Sequence, residues 1–342
     1  MWSLVLTSLA AASIGIPERE KDGRPHLRSE SVFVRFADDD TVLLTKNPDQ
    51  PRPIASVTKL MSALVFATRH PLPSGTVTLV EDDKDKLKHS RSRIPVGRTY
   101  AADALLTAAL AASDNRAVYA LVRGAGMERA RFVDAMNEAA RALGMTQSRF
   151  ADPAGLDPSN VSTARELTRL LDAITQHPDM CRRGLEQPEL VDERGRTLRL
   201  GNTNRLARSE RWTIVAAKTG YTIEAGRNLA LRTIVGERVV DMVFLGAREM
   251  QSIFGDAGRV RRWLVERMGR EPALAVAPQG AARAFTPIGA AEPVSREASM
   301  PAGAVGAAPA GGLATATATA SGPAVRAGVV AWASTSSRAP PL

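Results

Sequence analysis

The chain of 342 residues is poor in the residues that build metal centres, disulfide frameworks and nucleic-acid surfaces. It has one cysteine, Cys181, which excludes an intrachain disulfide and leaves no thiolate cluster for zinc. Its four histidines (His26, His70, His89, His177) form neither an H-x-x-x-H nor an H-E-x-x-H pattern, so no metal and no other cofactor is expected. Aromatic residues make up 4%, and no basic run is interleaved with stacking rings. The formal charge of +9 has acidic residues mixed among the arginines, which argues against nucleic acid as a partner and leaves room for an anionic polymer. Lysine is scarce as well: of 45 basic residues only seven are lysine, at 21, 46, 59, 84, 86, 88 and 218. Arginine cannot give up its proton in a protein, whereas a buried lysine can be tuned into a base. Where a lysine stands is therefore informative.

What is present is enough apolar sequence (44%) for a substantial core. Residues 1–17 carry no charge and contain Ala10-Ala11-Ala12 after an apolar run, a pattern similar to a secretory signal peptide. They are too short to span a bilayer comfortably. The expectation is an exported, periplasmic protein for which membrane association is not required. A polar linker is expected over 18–30. Residues 31–47 hold two alternating runs around Asp38-Asp39-Asp40, a hairpin signal. Helical spacing follows over 56–70, 101–112, 116–124, 128–144 and 163–177, with Gly144 as a stop. After a loop-rich stretch, β patterns return over 212–220, 227–235 and 238–248, and a last helix over 256–269. Strands at both ends with helices between predict a mixed α/β fold of the α+β kind. In it an antiparallel sheet, made by the N- and C-terminal segments, carries a helical subdomain on one face. The catalytic unit is expected to be 31–270. Residues 271–342, rich in Ala, Pro, Gly and Thr, read as a disordered tail.

Against this background the stretch "PIASVTKLM" (53–61) places Ser56 and Lys59 at i and i+3. If Ser56 opens a helix, both side chains emerge on one face, close enough for proton transfer, and the helix N-terminus favours developing negative charge. An isolated S-x-x-K is weak, because a serine cap beside a solvated lysine looks the same. Two further motifs strengthen it. "SDN" at 113–115 falls between helices and offers a hydroxyl, Ser113, and a carboxamide, Asn115. "KTG" at 218–220 ends a β run and offers a cation, Lys218, a hydroxyl, Thr219, and Gly220, which leaves room for substrate along the strand. Each occurs once, in the order of the penicillin-recognising serine enzymes, and two of seven lysines fall inside them.

With these motifs the sequence resembles the low-molecular-mass penicillin-binding proteins, the serine D-alanyl-D-alanine peptidases, and most of all their endopeptidase branch. "SDNRAVYAL", "MNEAARALGM", "DPAGLDPSNVSTA", "NTNRL" and "KTGYTIEAGRNLA" carry the likeness, over roughly residues 31–268. "GAGM" at 124–127 departs from the branch's Pro-Gly-Gly turn. The resemblance implies peptidoglycan stem peptides or cross-links as substrates, a role in cell-wall biogenesis, and β-lactams as covalent inhibitors. It implies Ser56 as nucleophile, Lys59 as base and Ser113 as proton relay. Asn115, Lys218, Thr219, Gly220 and Tyr221 become the substrate-binding residues, with the N–H groups of Ser56 and Tyr221 as oxyanion hole. Lys218 would also help to lower the pKa of Lys59. A class A β-lactamase would add a glutamate in E-x-x-L-N, which is missing, and Glu166 in "ELTRL" reads as an exposed helix charge. The other alternative is a non-catalytic wall-binding module.

Overall fold

The computed structural model describes residues 19–249 and 252–271. The signal-like segment and the tail beyond 271 lie outside the described residues. In chain order the elements are β1 (Ser31–Phe36), β2 (Val42–Lys46), β3 (Arg52–Pro53), a 3-10 turn (Ala55–Thr58), α1 (Lys59–Thr68), β4 (Thr76–Thr78) and β5 (Thr99–Ala101). Then come α2 (Ala102–Ala111), α3 (Asn115–Gly124), α4 (Arg129–Ala142), β6 (Val161–Ser162), α5 (Glu166–Ile174), α6 (Pro178–Leu185), β7 (Glu189–Val191) and β8 (Thr197–Arg199). β9 (Thr213–Thr222), β10 (Gly226–Val235), β11 (Arg238–Ala247) and α7 (Ser252–Arg270) complete the described chain.

The main sheet runs β2-β1-β11-β10-β9, antiparallel throughout, so the first hairpin and the last three strands form one surface as the sequence implies. Alternation along the strands sends Phe33, Ala230, Val243 and Leu245 to the helical side, where they join the core of α1 to α5. The intervening Val32, Val34, Leu231, Met242 and Phe244 point to the other face, which α7 covers with Ile253, Ala257, Val260 and Leu264. Both faces are therefore covered, and every residue of β1 and β11 is buried. Among the described residues no helix is long and apolar enough to cross a membrane.

Helix α1 lies at the centre of the helical part. Its run KLMSALVFAT is apolar on all sides, and its residues from Lys59 to Phe66 are all buried. A lysine at the start of such a helix has no route by which its ammonium can reach bulk water.

Three local differences from the sequence reading have physical causes. The stretch 178–185, read as loop, is helix α6: Pro178 starts it, and Cys181 packs beneath the sheet. The expected polar linker is anchored at its C-terminal end. Leu27 and Ser29 are buried, and the Ser29 N–H (2.8 Å) and hydroxyl (2.6 Å) both donate to Asp256 on α7. Charged residues also enter the sheet interior as a cross-strand row, Arg35–Asp241–Arg232 on β1, β11 and β10. Asp241 accepts from Arg35 Nε at 3.0 Å and from Arg232 Nε at 2.6 Å, and Asp172 of α5 completes the pairing with Arg35 at 2.6 Å. The row pins α5 to the sheet. Removing one partner of such a buried network strands the other charges, at a cost of about 3–5 kcal/mol.

Candidate active site

Ser56 sits in the 3-10 turn that leads into α1, immediately after Ala55, whose φ of 48° is unusual for a residue with a side chain. Two glycines explain how that turn is held. A Cβ on Gly155 would lie 2.0 Å from the Ala55 carbonyl oxygen, and one on Gly220 would lie 2.6 Å from the Ile54 carbonyl oxygen and 3.1 Å from the Ser56 nitrogen. Gly220 thus has a role the sequence did not reveal: its missing side chain lets β9 press backbone to backbone against the serine turn.

Lys59, the first residue of α1, is 1% exposed. Its Nζ lies 2.8 Å from Ser56 Oγ, 2.7 Å from Asn115 Oδ1 and 2.7 Å from the Ala154 carbonyl oxygen. A neutral amine has two N–H donors and one lone pair. While Lys59 is protonated its third N–H donates to Ser56 Oγ; in the neutral form the two carbonyl oxygens, which only accept, can take both N–H groups and leave the lone pair facing the serine hydroxyl. Burial pushes the Lys59 pKa down to about 8, against the opposing pull of Asp152, Asp114 and Asp85.

Lys218, on β9, is also 1% exposed and donates to Ser113 Oγ at 3.0 Å and to the Thr219 carbonyl at 2.9 Å. Its pKa is driven well below the ordinary lysine value, by burial first and then by the charge of Lys59. Two buried amines whose charges interact do not both hold a proton easily, and the two titrate as a pair. Of the two causes the sequence reading invoked for Lys59, burial and a second cation, burial is the larger.

Ser113 takes a φ of 60° between α2 and α3. Asp114 holds it there by capping α3, with its carboxylate accepting from the Ala117 N–H at 2.9 Å and from Ser92 Oγ at 2.6 Å. Asn115 donates through Nδ2 to Ser90 Oγ at 2.8 Å, which fixes the amide with Oδ1 toward Lys59. Thr219 meets Thr203 hydroxyl to hydroxyl at 2.7 Å, and the Thr203 N–H donates to the Ala111 carbonyl. Tyr221 is exposed, and the Arg227 guanidinium lies over its ring at 4.4 Å. Hydrogen bonds thus join Ser56, Lys59 and Asn115 in one chain and Ser113, Lys218 and Thr219 in another, and the charge of Lys59 reaches Lys218.

Several supporting residues are silent in the sequence. Asp152 is the largest of them. One of its oxygens accepts from the Ala154 N–H (2.7 Å) and the Gly155 N–H (3.0 Å), the other from Leu156 N–H (2.7 Å), Asp157 N–H (2.8 Å) and Asn160 Nδ2 (2.6 Å). A single buried carboxylate thereby shapes the loop that presents the Ala154 carbonyl to Lys59 and Gly155 to Ala55. The turn-rich stretch "DPAGLDPSN" is the only sequence signal for it. Glu166 corrects the sequence reading: it is 4% exposed, and its carboxylate accepts from the Gln147 N–H at 2.9 Å and from Ser148 Oγ at 2.6 Å. It ties the 146–148 loop to the start of α5.

An antiparallel sheet backed by helices, with a serine, two buried lysines and a carboxamide converging at its edge strand, defines a penicillin-recognising type of serine hydrolase. The D-alanyl-D-alanine carboxypeptidase family model matches residues 18–249, and the chain belongs to that family of serine peptidases. It is 37% identical over 268 residues to the D-alanyl-D-alanine endopeptidase of Pseudomonas aeruginosa, covering 77% of this chain and 86% of that one. It is 34% identical over 244 residues to the D-alanyl-D-alanine endopeptidase of Escherichia coli, covering 70% and 78%. Among solved structures the fold is similar to the Streptomyces DD-transpeptidase, with a TM-score of 0.64 at 23% identity over 70% of this chain and 98% of that one.

Proposed function

We propose that this serine peptidase cleaves the amide bond after a D-alanine in peptidoglycan stem peptides or cross-links, through an acyl-enzyme on Ser56, and that penicillins acylate the same hydroxyl. The observation that carries the reading is the Ser56 Oγ to Lys59 Nζ contact of 2.8 Å, with Asn115 Oδ1 and the Ala154 carbonyl oxygen each 2.7 Å from the same buried nitrogen. Neutral Lys59 takes the Ser56 proton as Oγ attacks the carbonyl carbon. The oxyanion that forms is held by the N–H groups of Ser56 and Tyr221, each worth about 3–4 kcal/mol in comparable enzymes. Collapse breaks the C–N bond, and the leaving amine takes a proton relayed through Ser113, whose hydroxyl already contacts Lys218. Water then attacks the ester and regenerates Ser56. Asn115 binds the substrate amide, Lys218 and Thr219 receive the carboxylate beyond the scissile bond, and Gly220 and Tyr221 line the strand on which the peptide lies.

The two curated relatives named above support the endopeptidase branch. The tethered carboxylate of Glu166 offers nothing to the β-lactamase alternative, because the 146–148 loop occupies it. Export to the periplasm is part of the proposal, and a mature protein beginning at Met1 in the cytoplasm would count against it. Digestion of purified peptidoglycan, with products resolved by mass, tests the activity. Monomeric muropeptides identify an endopeptidase and free D-alanine a carboxypeptidase; neither product would refute the reading. Ser56→Ala should abolish labelling by a fluorescent penicillin while leaving the thermal melt unchanged, and persistent labelling would move the nucleophile elsewhere.

A further inference from the structure

Among the described residues six large apolar side chains stand exposed, and three of them lie on two lips beside this site: Leu87 on the 84–93 loop, and Tyr221 and Ile223 where β9 turns into β10. Single exposed apolar residues need no explanation, but this concentration next to the edge strand does. Each lip is fixed at its base. Asp85 accepts from the N–H groups of Leu87 (2.8 Å), Lys88 (3.0 Å) and Ser90 (2.8 Å), and Ser90 Oγ holds Asn115. Across from it, the Ala225 N–H donates to Thr222 Oγ1 at 3.1 Å. The tips are joined by one ion pair, Lys88 to Glu224, whose side chains are 34% and 39% exposed.

The direction of the bound peptide, which rests on Ser56 being the nucleophile, gives this pair a role. With the carboxylate at Lys218 and Thr219 and the scissile carbonyl at the Tyr221 N–H, the acyl arm continues along β9 past Tyr221 toward Thr222 and Glu224. We propose that the Lys88–Glu224 ion pair is a latch across the acyl-arm end of the groove, and that with Leu87, Tyr221 and Ile223 it determines how bulky a substrate the site admits. A short linear stem peptide passes beneath the closed latch. A cross-linked peptide still attached to glycan needs it open. The pair is exposed enough for salt to weaken it, so opening is cheap and sensitive to ionic strength.

The test uses the full chain with three probes: a fluorescent penicillin, a short acyl-D-alanyl-D-alanine peptide, and a purified cross-linked muropeptide dimer. Lys88→Met and Glu224→Gln should each raise kcat/KM on the dimer by about two- to fivefold, the factor an exposed ion pair supplies. Penicillin labelling and turnover of the short peptide should stay at wild-type values. Exchanging the charges (Lys88→Glu with Glu224→Lys) should restore the wild-type preference, and added salt should raise dimer turnover in the wild type but not in the single variants. Unchanged or reduced dimer turnover in both single variants, with labelling intact, overturns the latch alone. Failure of the wild type to label with penicillin removes the Ser56 reading and the latch with it.

Discussion

Titrating Lys59 is the most direct perturbation of this site, because in the proposed mechanism its proton decides whether Ser56 reacts. Burial brings its pKa to about 8. At about pH 7 roughly one-tenth of molecules then carry the neutral amine, and at about pH 9 roughly nine-tenths do. An ordinary lysine would be neutral in only about one molecule in 3,000 at pH 7, so the buried environment is worth on the order of 300-fold in available base. The acylation rate with a fluorescent penicillin should therefore climb about tenfold between about pH 7 and 9 and level off above. Lys59→Arg should be slow at every pH. The same shift acts on stability. Below pH 8 both folded and unfolded chains hold the proton, and the folded state bears the cost of the buried charge. Between about pH 8 and the unfolded value near 10.5 the unfolded chain binds more protons, so unfolding free energy rises with pH by about 1.4 kcal/mol per unit, or about 3 kcal/mol in all. Urea melts of the wild type should show this rise, and those of Lys59→Met should lack the part due to Lys59. An acylation rate that is flat from pH 7 to 9, or that keeps climbing tenfold per unit beyond pH 10, would refute the assignment of Lys59 as base.

Gly155→Ala puts a methyl 2.0 Å from the Ala55 oxygen at a φ of +82°. It should cost several kcal/mol in a urea melt, about 3 or more, and abolish penicillin labelling. Gly195→Ala, at a φ of +75° with nothing within 4 Å, isolates the backbone part, about 1–2 kcal/mol, and should label normally; equal effects of the two would contradict the steric account. Asp152→Asn keeps the side-chain volume but turns an NH2 group toward backbone donors, and each buried N–H left unpaired costs about 1–3 kcal/mol. It also removes the first of the carboxylates that raise the Lys59 pKa, so the acylation limb should move below pH 8 while the maximal rate falls. A limb that stays at 8 would mean that Asp152 does not sense the amine.

The elements with strong periodicity were legible in the sequence. The N-terminal hairpin, the three C-terminal strands and the long helices follow from the spacing and density of their apolar residues, which enter the core on one face or on both. The three motifs that the proposal makes catalytic were legible because rare residue types fall at fixed spacings. The supports of the site were not. Asp152 and Glu166 look like surface acids, since nothing in a linear pattern reveals that a carboxylate is about to be surrounded by backbone N–H groups. Helix α6 was hidden because its eight residues are few, mostly polar and include Arg182, Arg183 and Gly184, and its burial depends on α2 and β9, which are distant in sequence. Arg35, Asp241 and Arg232 match one another only once three strands are aligned.

The contact of Gly155 and Gly220 with the residues around Ser56 has an evolutionary consequence. The Ser56 hydroxyl is located chiefly by main chain pressed on main chain, with only the small Thr58 side chain beside it. Mutation therefore has little to vary around Ser56 short of displacing it. Divergence in substrate range, or resistance to an acylating drug, must arise at the rim, where side chains such as Leu87 and Ile223 are free to change.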